Sequence, residues 1–420
     1  MKIIYQSLQA RYDLDYLIEY CILAVTFFLP ISLTITSAFL AAGTLLWVGK
    51  MVLLRRMNLK RTPFDKIIIL LVLLSAASIL GSPDWKFSLY NYSHLMGRYL
   101  LLYYFVINNI HSMEQVKRLI LVLLGAAAAI TVYGFYQYLF GAAASAGEWV
   151  DTEQFPDLKF RVFSTLENPN LLAGFLVTMM SLAAGIGCTA AQWRKKLLWF
   201  GLVMLFGVCL ALTYCRGAWI SLLATVIVYG ILYNRKIFWL LLFIPLLAFT
   251  VHDVFLERLV SILNPTDTSA TLRFALWEST LAMIRDHPLF GIGWGAYWLV
   301  YPQYDFFIND ASTKIVHAHN MYLNIAAEIG IPGFLAFLTI LFGHVRRALT
   351  ILAATADRWT AGIMLGILSS VAGLLVSGFT DYVMFNIQMS MLFWLLNALV
   401  VIVWQRTYMC GINTKFVKRL

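Results

Sequence analysis

Residues Lys314–Phe334 read "KIVHAHNMYLNIAAEIGIPGF", which sets His317, His319 and Asn320 directly before an apolar run that contains Glu328. Asn is a favoured N-cap because its side-chain oxygen accepts from backbone N–H groups left without helical partners. Asn320 therefore predicts a helix from Met321. His319 then lies just outside the first turn, at the positive end of the helix dipole, where imidazolium is disfavoured. A neutral imidazole can take a proton from a hydroxyl, the task of a general base. His317 either supports it or is solvated, and the pair taken alone fits a packed, capped loop equally well. No carboxylate or cysteine partner set accompanies the histidines in sequence, so no metal is expected. Glu328 and Asn324 are four residues apart and share a helix face. They read as a structural pair, with acceptor contact as the other option.

Two arginines suggest what such a base would work beside. Arg216 lies in "LTYCRGAWISLL", where two apolar runs meet with almost no loop. Its guanidinium must sit at a membrane boundary. There it either snorkels as a helix-end anchor or binds phosphate through its planar, bidentate fork, with Gly217 letting a ligand approach the backbone. Arg273 stands near the start of a helix read from "TSATLRFALWESTLAMIRDHP". Thr268 or Ser269 can cap that helix and Pro288 stops it; Leu272, Leu276 and Met283 recur at helical spacing. A helix N-terminus favours anions, so Arg273 reads as a second phosphate contact, against a solvated loop charge or a headgroup contact. Lys159, Arg161 and Arg98 are weaker candidates, each able to pair with a nearby acid. "HPLFGIGWGAYW" is a glycine-rich turn, and its GxGxG spacing without a preceding strand is not a dinucleotide fingerprint. A P-loop is absent, and no DxD lies on the same side as these residues. Arginines rather than a metal would neutralise a phosphate leaving group.

The elements that must position these residues are membrane helices. The 420-residue chain is 61% hydrophobic and 12% charged, against about 45–50% apolar and about 25% charged in soluble domains. This is the composition of an all-α, polytopic membrane protein. Apolar runs near 17–35, 37–54, 67–82, 94–110, 119–140, 170–190, 197–214, 217–233, 237–253, 321–343, 361–380 and 383–404 predict twelve spans. Basic clusters such as Arg55–Arg56, Arg194–Lys195–Lys196 and Arg346–Arg347 fall on alternate loops, and basic loops stay cytoplasmic. Both termini and Asn58 are then inside, while 254–320, with Asn309, is outside. On this topology 22 of the 31 basic residues and 6 of the 21 acidic ones are inner, leaving +16 inside and −6 outside. The net charge of +10 is thus topogenic, and nucleic acid is not an expected partner. The five cysteines form no CxxC pair, which argues against a disulfide framework or a zinc site. The first run reads as a retained span. Residues 1–420 read as a single integral membrane domain, with 254–320 an extracytoplasmic loop of short helices carrying part of the site.

Four motifs occur in order: "RVFSTLENPNLLAGFL", "CRGAW", "LRFALW" followed by "HPLFGIGWGAY", and "HAHNMYLNIAAEIGIPG". Over roughly residues 155–345 this set resembles the O-antigen ligase/polymerase family of bacterial membrane glycosyltransferases. The resemblance implies a GT-C-like fold with its active site outside the cytoplasm, in the bacterial inner membrane. It implies a donor glycan on undecaprenyl diphosphate and no cofactor. A ligase moves the glycan to lipid A–core, a polymerase to another lipid-linked repeat; ligase is the leading expectation. The family's essential arginines fall on Arg216 and Arg273 and its essential histidine on His319, which makes these the catalytic candidates. Arg161 matches a lesser basic position and joins His317 and Asn320 as substrate-binding candidates. Inversion by direct displacement is implied.

Members of the family have also been described as bicarbonate or other solute transporters. A transporter should place ionisable groups deep in its helices. Glu19 is the clearest such charge here, while most others sit at helix ends, which favours an enzyme. A scaffold protein would not need two arginines and a histidine on one surface.

Overall fold

The computed structural model describes residues 2–55, 57, 59–141, 160–242, 268–307 and 314–409. Arg56, Asn58, Lys159, Asn309 and most of the expected 237–253 span lie outside the described residues. Among those described there is no strand. The helices are α1 (Lys2–Phe28), α2 (Leu33–Leu53), α3 (Asp65–Ser78), α4 (Trp85–Asn109), α5 (Met113–Phe140), α6 (Pro169–Thr189), α7 (Trp193–Leu212) and α8 (Arg216–Leu232). They are followed by α9 (Thr268–Asp286), α10 (Tyr297–Val300), α11 (Met321–Ala354), α12 (Arg358–Ser377) and α13 (Ile387–Met409). Seven of them, α2, α5, α6, α7, α11, α12 and α13, are long and apolar enough to cross a membrane. The expected spans near 17–35, 67–82 and 94–110 are helical too. However, α3 has only 14 residues, and α1 and α4 carry polar and charged side chains along their length.

Helix starts follow local sequence. Ser32, two residues after Pro30, caps α2. Ser112 and Gln115 close a capping box on α5, the serine oxygen accepting from the Gln115 N–H at 3.1 Å. Asn168 caps α6 with Pro169 at its first position, and Asp357 caps α12. Each side-chain acceptor relieves N–H groups that the helix itself leaves unpaired. Glu19 is buried, but Arg118 Nε and Gln115 Nε2 both donate to its carboxylate at 2.8 Å. The charge that stood out within the first span is therefore the neutralised tie between α1 and α5.

The site depends on one crossing. Helices α6 and α12 run antiparallel in close contact, and glycines set their distance. A Cβ on Gly185 would stand 2.2 Å from the Gly362 carbonyl oxygen, and one on Gly366 would stand 2.7 Å from Leu182 Cα. Small residues that let backbones approach this closely are the usual means of membrane-helix packing. Because the partners are antiparallel, the start of α6 lies at the end of α12.

The stretch between α8 and α11 builds a small core of its own on α11. Leu276, Met283, Ile292, Tyr297, Val300, Tyr301, Ala318 and Ala327 pack together. Leu276 and Met283 are buried as their spacing predicts, whereas Leu272, one turn nearer the start of α9, is exposed. The run expected as a single span at 321–343 is broken: Gly330 has φ +72°, and α11 resumes through Pro332 to Ala354. The residues around Met321–Ile329 therefore form a short, separately oriented segment that ends against the glycine-rich turn.

Candidate active site

The "RVFSTLENPN" stretch turns sharply. Ser164 and Glu167 both have positive φ, +51° and +59°. Gln137 of α5 holds the turn, its side-chain oxygen accepting from Phe163 N at 3.1 Å and Ser164 N at 2.9 Å. Asn168 then caps α6, accepting from Asn170 N at 2.8 Å, which puts Asn170 in the first turn of the helix. Arg161 braces the neighbouring loop. Its Nε donates to Thr213 O at 2.8 Å, and its terminal nitrogen donates to Asn170 Oδ1 at 2.8 Å.

Thr213 leads directly into the "CRGAW" helix start. Tyr214 has φ +51°, Cys215 occupies the N-cap position, and Arg216 is the first residue of α8. The charges of Arg216, Arg273 and Asp381 all act on Arg161, so these four groups share one neighbourhood. Burial first, then those arginines, make the Arg161 charge less favourable than usual. Burial raises the Cys215 thiol, with Arg161 and Arg273 opposing.

The "HAHN" stretch is docked on the end of α12. Met321 N donates to Gly378 O at 2.7 Å, and Asn320 Nδ2 donates to Phe379 O at 3.3 Å. Asn320 Oδ1 accepts from Tyr322 N at 3.0 Å and Leu323 N at 3.1 Å, as an N-cap should. Its side chain is buried and thereby occupied in holding two helix ends. His319 is in the left-handed region at φ +47°. His317 Nδ1 accepts the His319 N–H at 3.2 Å, which places the proton of a neutral His317 ring on Nε2.

A carboxylate absent from the sequence reading completes the group. Asp381 follows α12, and its Oδ1 lies 3.3 Å from His319 Nδ1, though the geometry falls short of a hydrogen bond. Its other oxygen accepts from Asn170 Nδ2 at 3.1 Å. A continuous line thus runs from Arg161 through Asn170 and Asp381 to His319. Burial alone would raise the Asp381 carboxyl; His319, His317 and the Tyr382 N–H outweigh it and hold the group well below the usual carboxylate range. Burial pushes His317 down to about 4, His319 adds to this, and Asp381 opposes it.

Ligand atoms of His317, His319 and Asp381 lie within 4.8 Å of one another, so these three could hold a metal ion. The partner set missing beside the histidines in sequence therefore exists in space. Asp381 and Asn170 also stand between two cavities. One, mainly apolar, runs along α6, α12 and α13 from Cys215, Gly217 and Thr380. The other, about 690 Å³, is lined by His317, His319, Trp294, Trp298 and Glu328.

Positive φ in non-glycine residues is rare and strained, and it tends to persist where function requires it. Of the five cases among the described residues, Ser164, Glu167 and His319 fall in two of the ordered motifs, and Tyr214 directly precedes a third. Sequence reading missed Asp381 and Asn170. Asn170 sat in view within "ENPN", as a polar residue just inside an apolar helix. Asp381 sat in a two-residue gap between expected spans.

Helices of membrane length with a histidine and a carboxylate in their cavity walls, and arginines in the same neighbourhood, define a membrane protein with a polar site. Residues 200–338 match the family model described as O-Antigen ligase. This stretch contains Arg216, Arg273, His317, His319 and Asn320, and the match supports the O-antigen ligase/polymerase family that the ordered motifs implied. Arg161, Asn170 and Asp381 lie outside the matched residues. No curated protein compared with the chain matches it.

Proposed function

We propose that the protein is a metal-independent glycosyltransferase of the O-antigen ligase type. In this reading it transfers a glycan from undecaprenyl diphosphate to an acceptor hydroxyl on lipid A–core or a similar glycan. Transfer takes place at the outer leaflet of the bacterial inner membrane. Twelve crossings in a GT-C-like arrangement, within a single domain, accompany it. The observation that carries the reading is the line from Arg161 through Asn170 and Asp381 to His319, set beside Arg216 and Arg273.

With Nδ1 turned to Asp381, His319 has Nε2 left to take the proton from the acceptor hydroxyl. The acceptor oxygen attacks the anomeric carbon, and the bond from that carbon to the diphosphate oxygen breaks. The diphosphate leaves with the electron pair. Arg216 and Arg273 face the growing negative charge, where fixed cationic donors lower the barrier most. A direct displacement of this kind inverts the anomeric centre. Asp381 orients the imidazole and stabilises its protonated form. Arg161 positions Asn170 and the α8 start, and Asn320 positions His319 by capping α11. The apolar cavity beside Cys215 and Gly217 suits the lipid end of the donor.

The test is purified protein with an undecaprenyl-diphosphate-linked glycan and a lipid A–core acceptor. Wild type should form the transferred product and His319→Ala should not. No product from wild type, or equal product from His319→Ala, refutes the reading.

A further inference from the structure

The larger cavity has a chemistry that the proton transfer at His319 does not use. Its wall includes Trp294, Trp298, Gly295 and Glu328. At about 690 Å³ it falls within the ~300–1,000 Å³ range of small-molecule sites. Glu328 is 7% exposed, and among the described residues it has no ion-pair partner. Burying a carboxylate without a counter-charge is unfavourable unless hydrogen-bond donors satisfy it.

The backbone around Glu328 is built to hold it there. Gly295 N donates to Glu328 Oε2 at 3.1 Å. Ile292 N and Gly293 N donate to the carbonyls of Ala327 and Glu328 at 2.8 and 3.1 Å. Gly291 has φ +72°, and a Cβ there would stand 2.5 Å from the Glu328 carbonyl. Gly330, also at φ +72°, would meet Leu289 O at 2.3 Å. The glycine-rich turn and the break in α11 are thus fitted to each other, and together they fix this carboxylate in the cavity wall.

A carboxylate only accepts hydrogen bonds, while indole rings offer flat apolar surface with a polar edge. A sugar ring matches both, with C–H faces for the aromatics and hydroxyls for the acid. Lys314, which also lines the cavity, lies over Trp298, its Nζ 3.6 Å from the ring centre, so the wall carries one cation as well as one acid, and a neutral ring suits that balance. We propose that this cavity is the acceptor-sugar subsite, in which Glu328 accepts hydroxyls of a neutral sugar ring against the Trp294 and Trp298 wall. This rests on the glycosyltransferase reading for the word acceptor, but the cavity's preference for a neutral sugar can be tested without transfer.

The experiment uses the full chain in detergent and two readouts. Saturation-transfer NMR compares maltotriose, trigalacturonate and triglucosamine as probes; the second readout is acceptor KM and kcat at saturating lipid-linked donor. The key variant is Glu328→Gln, whose side-chain oxygen can still accept from Gly295 N but which loses the second acceptor oxygen. Wild type should bind maltotriose. Glu328→Gln should weaken that binding and raise acceptor KM roughly 10- to 100-fold, the usual effect of hydrogen bonds to a charged group, with kcat much less affected. Trp298→Leu should weaken binding as well and serves if Glu328→Gln does not fold, while Lys86→Ala should bind as wild type. Three results overturn the proposal: wild type that binds none of the sugars, wild type that prefers trigalacturonate or triglucosamine, or Glu328→Gln and Trp298→Leu that bind maltotriose as wild type does. Maltotriose binding without any glycan transfer would sink the transferase reading and leave the sugar site standing.

Discussion

His319 Nδ1 and Asp381 Oδ1 stand 3.3 Å apart, and the same carboxylate accepts Asn170 Nδ2 at 3.1 Å through its other oxygen. His319 is thus flanked by groups from two other chain segments, the start of α6 and the residues after α12.

Asp381→Asn should therefore damage turnover while leaving donor binding intact. General-base catalysis contributes about 10²–10⁴-fold, and an amide in place of the carboxylate removes the charge that stabilises protonated His319. A fall of about 100-fold in kcat is expected, with labelled undecaprenyl diphosphate still bound. Wild-type kcat in Asp381→Asn would show that the pairing is structural only.

Arg216→Ala and Arg273→Ala should each lower kcat by about 10²–10³-fold, the usual loss of one preorganised electrostatic donor. Arg216→Lys should rescue poorly, since an ammonium keeps the charge but not the bidentate fork. Arg161→Ala should also lower the unfolding temperature, because it releases both Thr213 O and Asn170 Oδ1. Lys86→Ala is the control for lost outer charge. Unchanged kcat in either arginine-to-alanine variant would remove that residue from the leaving-group role.

Acid should destabilise the fold partly through His317. Its folded-state value is lowered to about 4 from 6.5, so the unfolded chain takes up a proton that the native one refuses. The stability this group contributes is complete above about 6.5 and is lost as pH falls toward 4. His111, between α4 and α5, is lowered to about 4 as well, by burial and then by Lys60, and contributes over the same window. Unfolding temperatures in detergent from pH 7.5 to 4 should fall, and His317→Gln should flatten that limb in part. An identical slope in wild type and His317→Gln would count against it.

Chelation separates the two uses of the His317, His319 and Asp381 cluster. Wild type treated with EDTA should transfer glycan at its untreated rate. Loss of transfer that added divalent ion restores would place a metal on these three residues and end the metal-independent reading.

Gly330→Ala should destabilise by about 1–3 kcal/mol, the cost of a residue with a Cβ at positive φ and extended ψ, a region essentially reserved for glycine, before its clash with Leu289 O is counted. The unfolding temperature should drop and the purified yield with it. A neutral substitution would mean that the break in α11 is not tied to the glycine-rich turn.

The sequence by itself determined the class of protein, most helices and their caps. Apolar length, alternating basic loops and an Asn, Ser or Asp before several of the runs act locally, so they can be read one segment at a time. Arg216, Arg273 and His319 were legible for a similar reason, since polar groups at a helix end beside lipid demand an explanation wherever they occur. The kink at Gly330 was harder to read, because "EIGIPG" suits both a continuous span and a break. Only the packing of Leu289–Gly295 against the helix end selects the break. The tertiary structure alone placed Asp381 beside His319. The glycine-set crossing of α6 and α12 brings the start of one helix to the end of the other, and so carries Asn170 to Asp381. That distance depends on helix direction and on Gly185, Gly362 and Gly366 meeting face to face, none of which appears in the residues next to either partner. The cavity that contains Glu328 has the same origin, because its walls come from α4, α11, α13 and the glycine-rich turn, and it exists only once these have packed together.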